Sequence, residues 1–263
     1  MKKAGAKSSK EIEIIYQDDN ILVINKPSGL MVHGDGRSCE RTLADILIEE
    51  RLVPEDVGEP LEIPQKKDTV VACHQPSHIY EDGKLIILRP GIVHRLDKDT
   101  SGVLVIARDQ KTFLELKNQF QERTVKKEYL ALVRGAFKEN IGSIAVAIGR
   151  SKNDFRKWHS GRGPRGELRE AITDYRVVSS KKDEKGTDWS LIKVFPRTGR
   201  THQIRVHMRY ANHPVAGDSL YGETASLKKF PRLMLHASSL SFIHPKTKEK
   251  AVFQAPTPKE FEL

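Results

Sequence analysis

The residues able to do chemistry concentrate in two short segments. The first reads Pro90-Gly91-Ile92-Val93-His94-Arg95-Leu96-Asp97-Lys98-Asp99-Thr100-Ser101-Gly102. It sets a base, two acids and two hydroxyls between apolar flanks. Thr100-Ser101-Gly102 can hydrogen-bond locally and take unusual backbone angles, which would fix the carboxylate before them. The same residues also suit an ordinary turn in which Asp97 or Asp99 caps the backbone. The second segment, 197–209, holds four arginines and two histidines in thirteen residues with no acid among them. Such a run suits phosphate contacts; a solvated basic helix face is the alternative, weakened by the lack of interspersed acids.

Other chemistries lack a signature. His202 and His207 stand five apart instead of at i, i+4, and no H-E-x-x-H or CxxC occurs, so no metal is expected. No GxGxxG follows a strand and no G-x-x-x-x-G-K-[ST] is present, which speaks against a nucleotide cofactor. Ser101 lies outside any G-x-S-x-G elbow. Cys39 and Cys73 have no activating context and are too few for a disulfide framework, so a reducing cytoplasm is the expected home.

The chain has 263 residues, 45 Lys+Arg against 35 Asp+Glu, and a net charge of +10. Four of those charges fall in residues 1–10, read as a disordered basic tail. Apolar residues make up 38%, and Gly and Pro are at background levels, which excludes collagen-like, low-complexity and wholly disordered classes. No apolar run approaches the ~20 residues of a membrane helix, and no apolar core follows the cationic start as a signal peptide would require. A basic body points to a polyanionic partner.

These segments need elements to position them. Strands are expected at 12–16 and 21–25, joined as a hairpin through Asp18-Asp19-Asn20. Lys26-Pro27-Ser28-Gly29 is a turn by composition. A helix is expected at 42–52. Four of the thirteen prolines lie between 54 and 76, so 54–83 reads as a surface insertion with one short hairpin at 69–72. Strands at 92–93 and 103–107 flank the first segment. Asp109 caps a helix over 110–121 whose Phe113, Leu116 and Phe120 share a face. A strand follows at 129–133, a charged loop at 151–170, and strands at 175–178 and 189–195. A helix at 201–210 would set Thr201 and Arg205 on one face with Met208 and Arg209. Strands at 240–243 and 252–254 close the chain. The fold class is α+β: one domain over 11–263, built on a mixed, largely antiparallel sheet with flanking helices and long surface loops.

The segment His94–Gly102 resembles the H-R-L-D-x-x-T-S-G signature of the RluA family of RNA pseudouridine synthases. Four further stretches match that family in order. Asn25–Leu30 resembles N-K-P-x-G-L, Lys127–Val133 resembles K-x-Y-x-A-x-V, Thr198–His207 resembles T-G-R-x-H-Q-I-R-V-H, and Leu233–Ala237 resembles L-x-L-H-A. The resemblance implies a cofactor-free isomerase that turns a uridine of ribosomal or transfer RNA, in a loop or unpaired region, into pseudouridine. It implies base flipping. It places the catalytic aspartate at Asp97, the active-site tyrosine at Tyr129 and the arginine that pairs with the aspartate at Arg205. Arg95 matches the position that enters the gap left by the flipped nucleotide, and Leu235 lines the uracil pocket or serves the core. Arg200 and the loop residues Arg156, Lys157, Arg162 and Arg165 would contact phosphates. Three roles suit the Asp97 carboxylate: attack on the sugar, addition to the base, or removal of a ribose proton. Many relatives carry an N-terminal RNA-binding module of ribosomal-protein type, which is expected to be absent here because the catalytic pattern starts by Glu11.

Two other function classes compete. A catalytically silent RNA-binding factor on the same fold would not need Asp97, Tyr129 and Arg205 together. A nucleosidase or glycoside hydrolase would want a second carboxylate as acid, and only Asp99 is near. Release of free uracil would distinguish the hydrolase.

Overall fold

The computed structural model describes residues 11–36, 38–64, 75–161 and 164–262. They form two compact units. The first takes the described residues up to Val125 together with Ser241–Ala255; the second takes Lys126–Leu240 and the residues from Pro256 onward.

In the first unit, β1 (Glu13–Gln17) and β2 (Ile21–Lys26) form the expected hairpin. Asp18 Oδ1 closes it by accepting from the N–H groups of Asn20 and Ile21, both at 2.8 Å. Helix α1 (Leu43–Glu49) is shorter than the expected 42–52. Thr42 is its N-cap, in a capping box with Asp45, and Arg51 enters the left-handed region just past its end. Strands β3 (Leu61–Pro64), β4 (His78–Glu81) and β5 (Lys84–Ile87) make a small sheet in the order β3–β5–β4. The 54–83 stretch thus carries strands at both ends; the hairpin expected at 69–72 lies outside the described residues. Strand β6 (Ser101–Ala107) pairs antiparallel with β2, and every one of its residues is buried. A strand covered on both faces needs no polar alternation, which accounts for the unbroken apolar runs Ile21–Ile24 and Val103–Ala107.

The strand expected at 92–93 is instead a single bridge between Ile92 and Ile106. Gly91 has φ +63°, and a Cβ there would sit 1.9 Å from the Ala107 carbonyl oxygen. The chain turns sharply at this glycine and continues as a loop. Helix α2 (Gln110–Gln121) has the expected bounds, with Asp109 accepting from the Thr112 N–H at 2.8 Å. Phe113 and Leu116 bury its inner face, worth about 1.5–3 kcal/mol each.

The second unit contains β7 (Lys126–Arg134), β8 (Ile141–Ala145), β9 (Ile148–Ser151), β10 (Trp158–Ser160), β11 (Pro164–Arg169), β12 (Ile172–Lys182) and β13 (Asp188–Pro196). Helices α3 (Gln203–Tyr210) and α4 (Thr224–Lys229) and strand β14 (Leu235–Ile243) follow. The sheet order is β14–β7–β13–β12–β8, antiparallel from β7 to β8. The α+β class with a largely antiparallel sheet holds. Leu132, Ile192, Val194, Ile204, Met208 and Leu235 contribute to one core.

Three expectations need correction in this unit. Part of the 151–170 loop is β10 and β11, both paired antiparallel with β9. Strand β10 is only three residues long and β11 is charged and exposed over 166–169, so no apolar alternation marks either; backbone pairing with β9 holds them. Helix α3 starts at Gln203, because His202 takes the left-handed conformation with φ 56°. The expected face also differs: Thr201 precedes the helix, Arg205 and Met208 are buried, and Arg209 is exposed. Helix α4 lies in a stretch for which the sequence suggested no helix. Strand β15 (Lys250–Gln254) belongs to the first unit, where Phe253 packs on Tyr16 at 5.2 Å between ring centroids.

Candidate active site

In the first unit, Asp97 is half-buried on the loop that leads into β6. The Thr100 N–H donates to the Asp97 carbonyl at 3.1 Å and closes a turn. The N-K-P-S-G-L stretch pins this loop from outside. Gly29 N–H donates to the Lys98 carbonyl at 2.9 Å, and Ser28 Oγ donates to the Asp99 carbonyl at 2.7 Å. Lys26 has no exposed surface. Its ammonium donates to the carbonyls of Pro27 (2.8 Å), Leu30 (2.7 Å) and Lys98 (3.0 Å). Burying an ammonium costs several kcal/mol unless its protons find acceptors. Three carbonyls supply them here, so the amine binds the turn to the Asp97 loop. Composition marked this stretch only as a turn and did not show the lysine's role.

His94, the motif's base, serves the fold. Its Nε2 accepts from the Val105 N–H at 3.1 Å, and its ring stacks on Phe120 with centroids 4.4 Å apart. Arg95 is exposed, with Nη1 3.5 Å from Nε2 of His33. Nδ1–H of His33 donates to the Gly34 carbonyl at 2.8 Å. Burial drives the His33 pKa down to about 4 against the raising effect of that bond, and the charges of Arg95 and Arg89 push the same way as burial. The ring is therefore neutral near pH 7.

In the second unit, Arg205 projects from α3 into a buried site that holds Asp218. Nε donates to Oδ2 at 2.7 Å and Nη2 to Oδ1 at 2.8 Å. Asp218 Oδ1 also accepts from the N–H groups of Leu220 (2.9 Å) and Tyr221 (3.0 Å). Burial raises the Asp218 carboxyl's pKa, but the bonds and charge of Arg205 and the two backbone N–H groups outweigh it and hold it below the ordinary carboxylate range. The guanidinium lies over the Tyr221 ring, 5.2 Å from its centroid. The Tyr221 hydroxyl accepts from the Trp158 N–H at 2.8 Å and bonds His202 Nδ1 at 2.9 Å. Sequence reasoning missed Asp218 and Tyr221. The signal was an arginine on the buried side of a helix, which demands a carboxylate nearby.

The rest of the T-G-R-T-H-Q-I-R-V-H stretch is wired inward. Gln203 accepts from Thr198 Oγ1 (2.7 Å) and the Arg200 N–H (3.0 Å). It donates to the Ile172 carbonyl (2.9 Å) and Thr173 Oγ1 (3.0 Å). His207 is buried between Thr173 Oγ1 and the Val146 carbonyl, and burial lowers its pKa despite the bond to that carbonyl. Tyr129 is half-buried on β7 opposite Val194 of β13. Leu235 opens β14 and is buried in the core. Arg200 donates from Nε to the Glu170 carbonyl at 3.0 Å.

Of the expected phosphate contacts, Arg156 is exposed but engaged. It reaches Asp154 from Nε (3.0 Å) and Nη2 (2.9 Å), and those bonds hold the Asp154 pKa down to about 2. Lys157 is half-buried, and its N–H donates to the Asp154 carbonyl at 3.0 Å. Arg165 lies in β11, and Arg162 is outside the described residues. Among the described residues, no three His, Cys, Asp or Glu side chains group as metal ligands, and no helix is long and apolar enough to cross a membrane.

Residues 20–210 match the sequence family described as RNA pseudouridylate synthase, a span that includes Asp97, Tyr129 and Arg205. The chain is 35% identical over 250 residues to an uncharacterized RNA pseudouridine synthase of Bacillus subtilis, covering 95% of this chain and 70% of that one. It is 36% identical over 257 residues to ribosomal large subunit pseudouridine synthase D of Borreliella burgdorferi, covering 97% and 68%. The structure of human RNA pseudouridylate synthase domain containing 1 matches with a TM-score of 0.69 and 28% identity, over 97% of this chain and 87% of that chain.

Proposed function

Because the chain belongs to the RluA family of RNA pseudouridine synthases, we propose that it isomerises specific uridines of ribosomal or transfer RNA, with Asp97 as the catalytic carboxylate. A ribosomal target draws support from the similarity to a relative named a large-subunit synthase. The observation that carries the assignment of Asp97 is its mounting: a half-buried carboxylate on a loop tied down by Lys26, Ser28 and Gly29. Such a mount holds a reacting group without an ordering cost at each turnover.

The reaction breaks the bond between uracil N1 and C1′ and forms one between C5 and C1′. The C5 proton leaves, and N1 gains a proton. A carboxylate suits the electron-deficient centre that develops when the first bond breaks, as in retaining glycosidases. Tyr129 is assigned to the face of the flipped uracil and Leu235 to its pocket. Arg205 is assigned the cationic role that the family pattern gives it, with Asp218 setting the plane of its fork. Arg95 is assigned to the gap left in the RNA, and Arg200, Arg156, Lys157, Arg162 and Arg165 to phosphates. The deciding experiment uses RNA labelled with tritium at uracil C5. Pseudouridine formation sends the label to water without free uracil, whereas hydrolysis would release labelled uracil.

A further inference from the structure

Arg95 stands two residues before Asp97 with its side chain exposed. Among the described residues no carboxylate lies within ion-pair distance of it, and its hydrogen-bond partner is Nε2 of His33 at 3.5 Å. His33 is fixed from behind. Its Nδ1–H is committed to the Gly34 carbonyl at 2.8 Å, so Nε2 keeps a lone pair for Arg95. The carbonyls of Met31 and Val32 accept from the N–H groups of Leu43 and Ala44 at the start of α1, at 2.8 and 3.0 Å. Gly34 packs so closely on His78 of β4 that a Cβ would lie 2.8 Å from its ring. His78 Nδ1 meets Ser77 Oγ at 3.2 Å, and the Ser77 N–H donates to Asp45 Oδ1 of α1 at 3.0 Å. The small β3–β5–β4 sheet and α1 therefore hold His33, and His33 holds Arg95.

We propose that His33 is a positioning residue that aims the Arg95 guanidinium at the RNA during uridine flipping. The inference rests on the assignment of Arg95 made above. An arginine that must move onto RNA is poorly served by a carboxylate partner. A carboxylate would grip the fork at two points, then remain facing the phosphates as a repelling charge. A neutral imidazole orients the guanidinium through one acceptor and leaves no charge behind. Burial favours that neutral form, as do the charges of Arg95 and Arg89; the bond to the Gly34 carbonyl and the charge of Asp35 pull the other way.

The test uses full-length variants and total RNA labelled at uracil C5 in a strain lacking the gene. Single-turnover tritium release is measured on refolded and on heat-denatured RNA, and the folded-to-denatured rate ratio is the readout. Arg95→Ala and His33→Phe should each lower that ratio about tenfold, the scale set by misplacing a group that must be aligned. His33→Gln, which presents an amide oxygen in place of Nε2, should stay within about twofold of wild type. His33→Glu should lower the ratio by holding Arg95 back. A wild-type ratio in His33→Phe with a fallen ratio in Arg95→Ala overturns this inference alone. A wild-type ratio in Arg95→Ala overturns the assignment of Arg95 itself. Should His33→Phe lose its thermal transition, the Gln and Glu variants decide, and equal ratios for those two overturn the inference.

Discussion

Arg205 and Asp218 face each other as a buried two-point pair, with Nε–Oδ2 at 2.7 Å and Nη2–Oδ1 at 2.8 Å. Each satisfies the other where water does not reach, and two backbone N–H groups complete the carboxylate's shell. The pair fixes the plane of the fork on a residue that the family pattern assigns to catalysis.

Asp218→Asn should cost about 3–5 kcal/mol of stability, because it removes the charge of the buried guanidinium's two-point partner. Arg205→Lys keeps the charge but loses the planar fork, and its turnover should fall about tenfold or more with the fold intact. Urea unfolding and single-turnover rates check the two. Wild-type turnover in Arg205→Lys would remove the planar fork from the mechanism.

The same pair gives an acid limb to the stability curve. The folded pKa of Asp218 lies below its unfolded value, so the unfolded chain binds the proton more readily. The stabilisation is present above the unfolded carboxylate pKa and is lost as pH falls through the folded one. Asp218→Asn should therefore lose less stability than wild type on acidification below about pH 4.

His33 adds a second acid limb at higher pH. Its pKa falls from 6.5 to about 4 on folding, so stability is full above 6.5 and declines as pH drops toward 4. The decline attributable to this ring is about 3 kcal/mol at most. Urea titrations of wild type and His33→Gln between pH 7 and pH 4.5 should diverge steadily, on the order of 1.4 kcal/mol per pH unit at the steepest. Parallel curves would assign the limb to His207 or another buried base.

Asp97→Asn should abolish tritium release while RNA affinity stays within about threefold, since affinity comes chiefly from phosphate contacts. Filter binding beside the release assay separates the two effects. An equally large loss of binding would make Asp97 structural.

Asp154 holds the Arg156 guanidinium through two hydrogen bonds. Asp154→Ala should free that guanidinium and steepen the salt dependence of RNA binding by up to about 0.7 for one added single-strand contact. Changing Arg156, Lys157, Arg162 and Arg165 to Gln should flatten it by up to about 3. Unchanged slopes in both variants would leave this surface out of RNA binding.

Helix α2 was legible in the sequence because its cap and its buried face are local: Asp109 lies beside it, and Phe113 and Leu116 fall at helical spacing. Asp97 stood out because its neighbours match a long family signature. The roles of Lys26 and Asp218 were not legible. Lys26 spends one proton on a carbonyl 72 residues away, and the partner of Arg205 lies 13 residues on, in a loop without periodicity. Strand β10 is too short, at three residues, to show a period, and the charged, exposed β11 lacks the alternation that marks half-buried strands. Arg209 was placed on the face of Arg205 and Met208, yet the core takes those two and leaves Arg209 in water.

The enclosure of Lys26 makes it a built-in reporter of motion. Its amine has no surface and its protons are engaged, so acylating reagents reach it only when the turn opens. Its labelling rate, followed by mass spectrometry against that of exposed lysines, would measure how often the mount beneath Asp97 comes apart. Bound RNA, if it seats on that loop, should slow this one lysine more than those elsewhere on the surface.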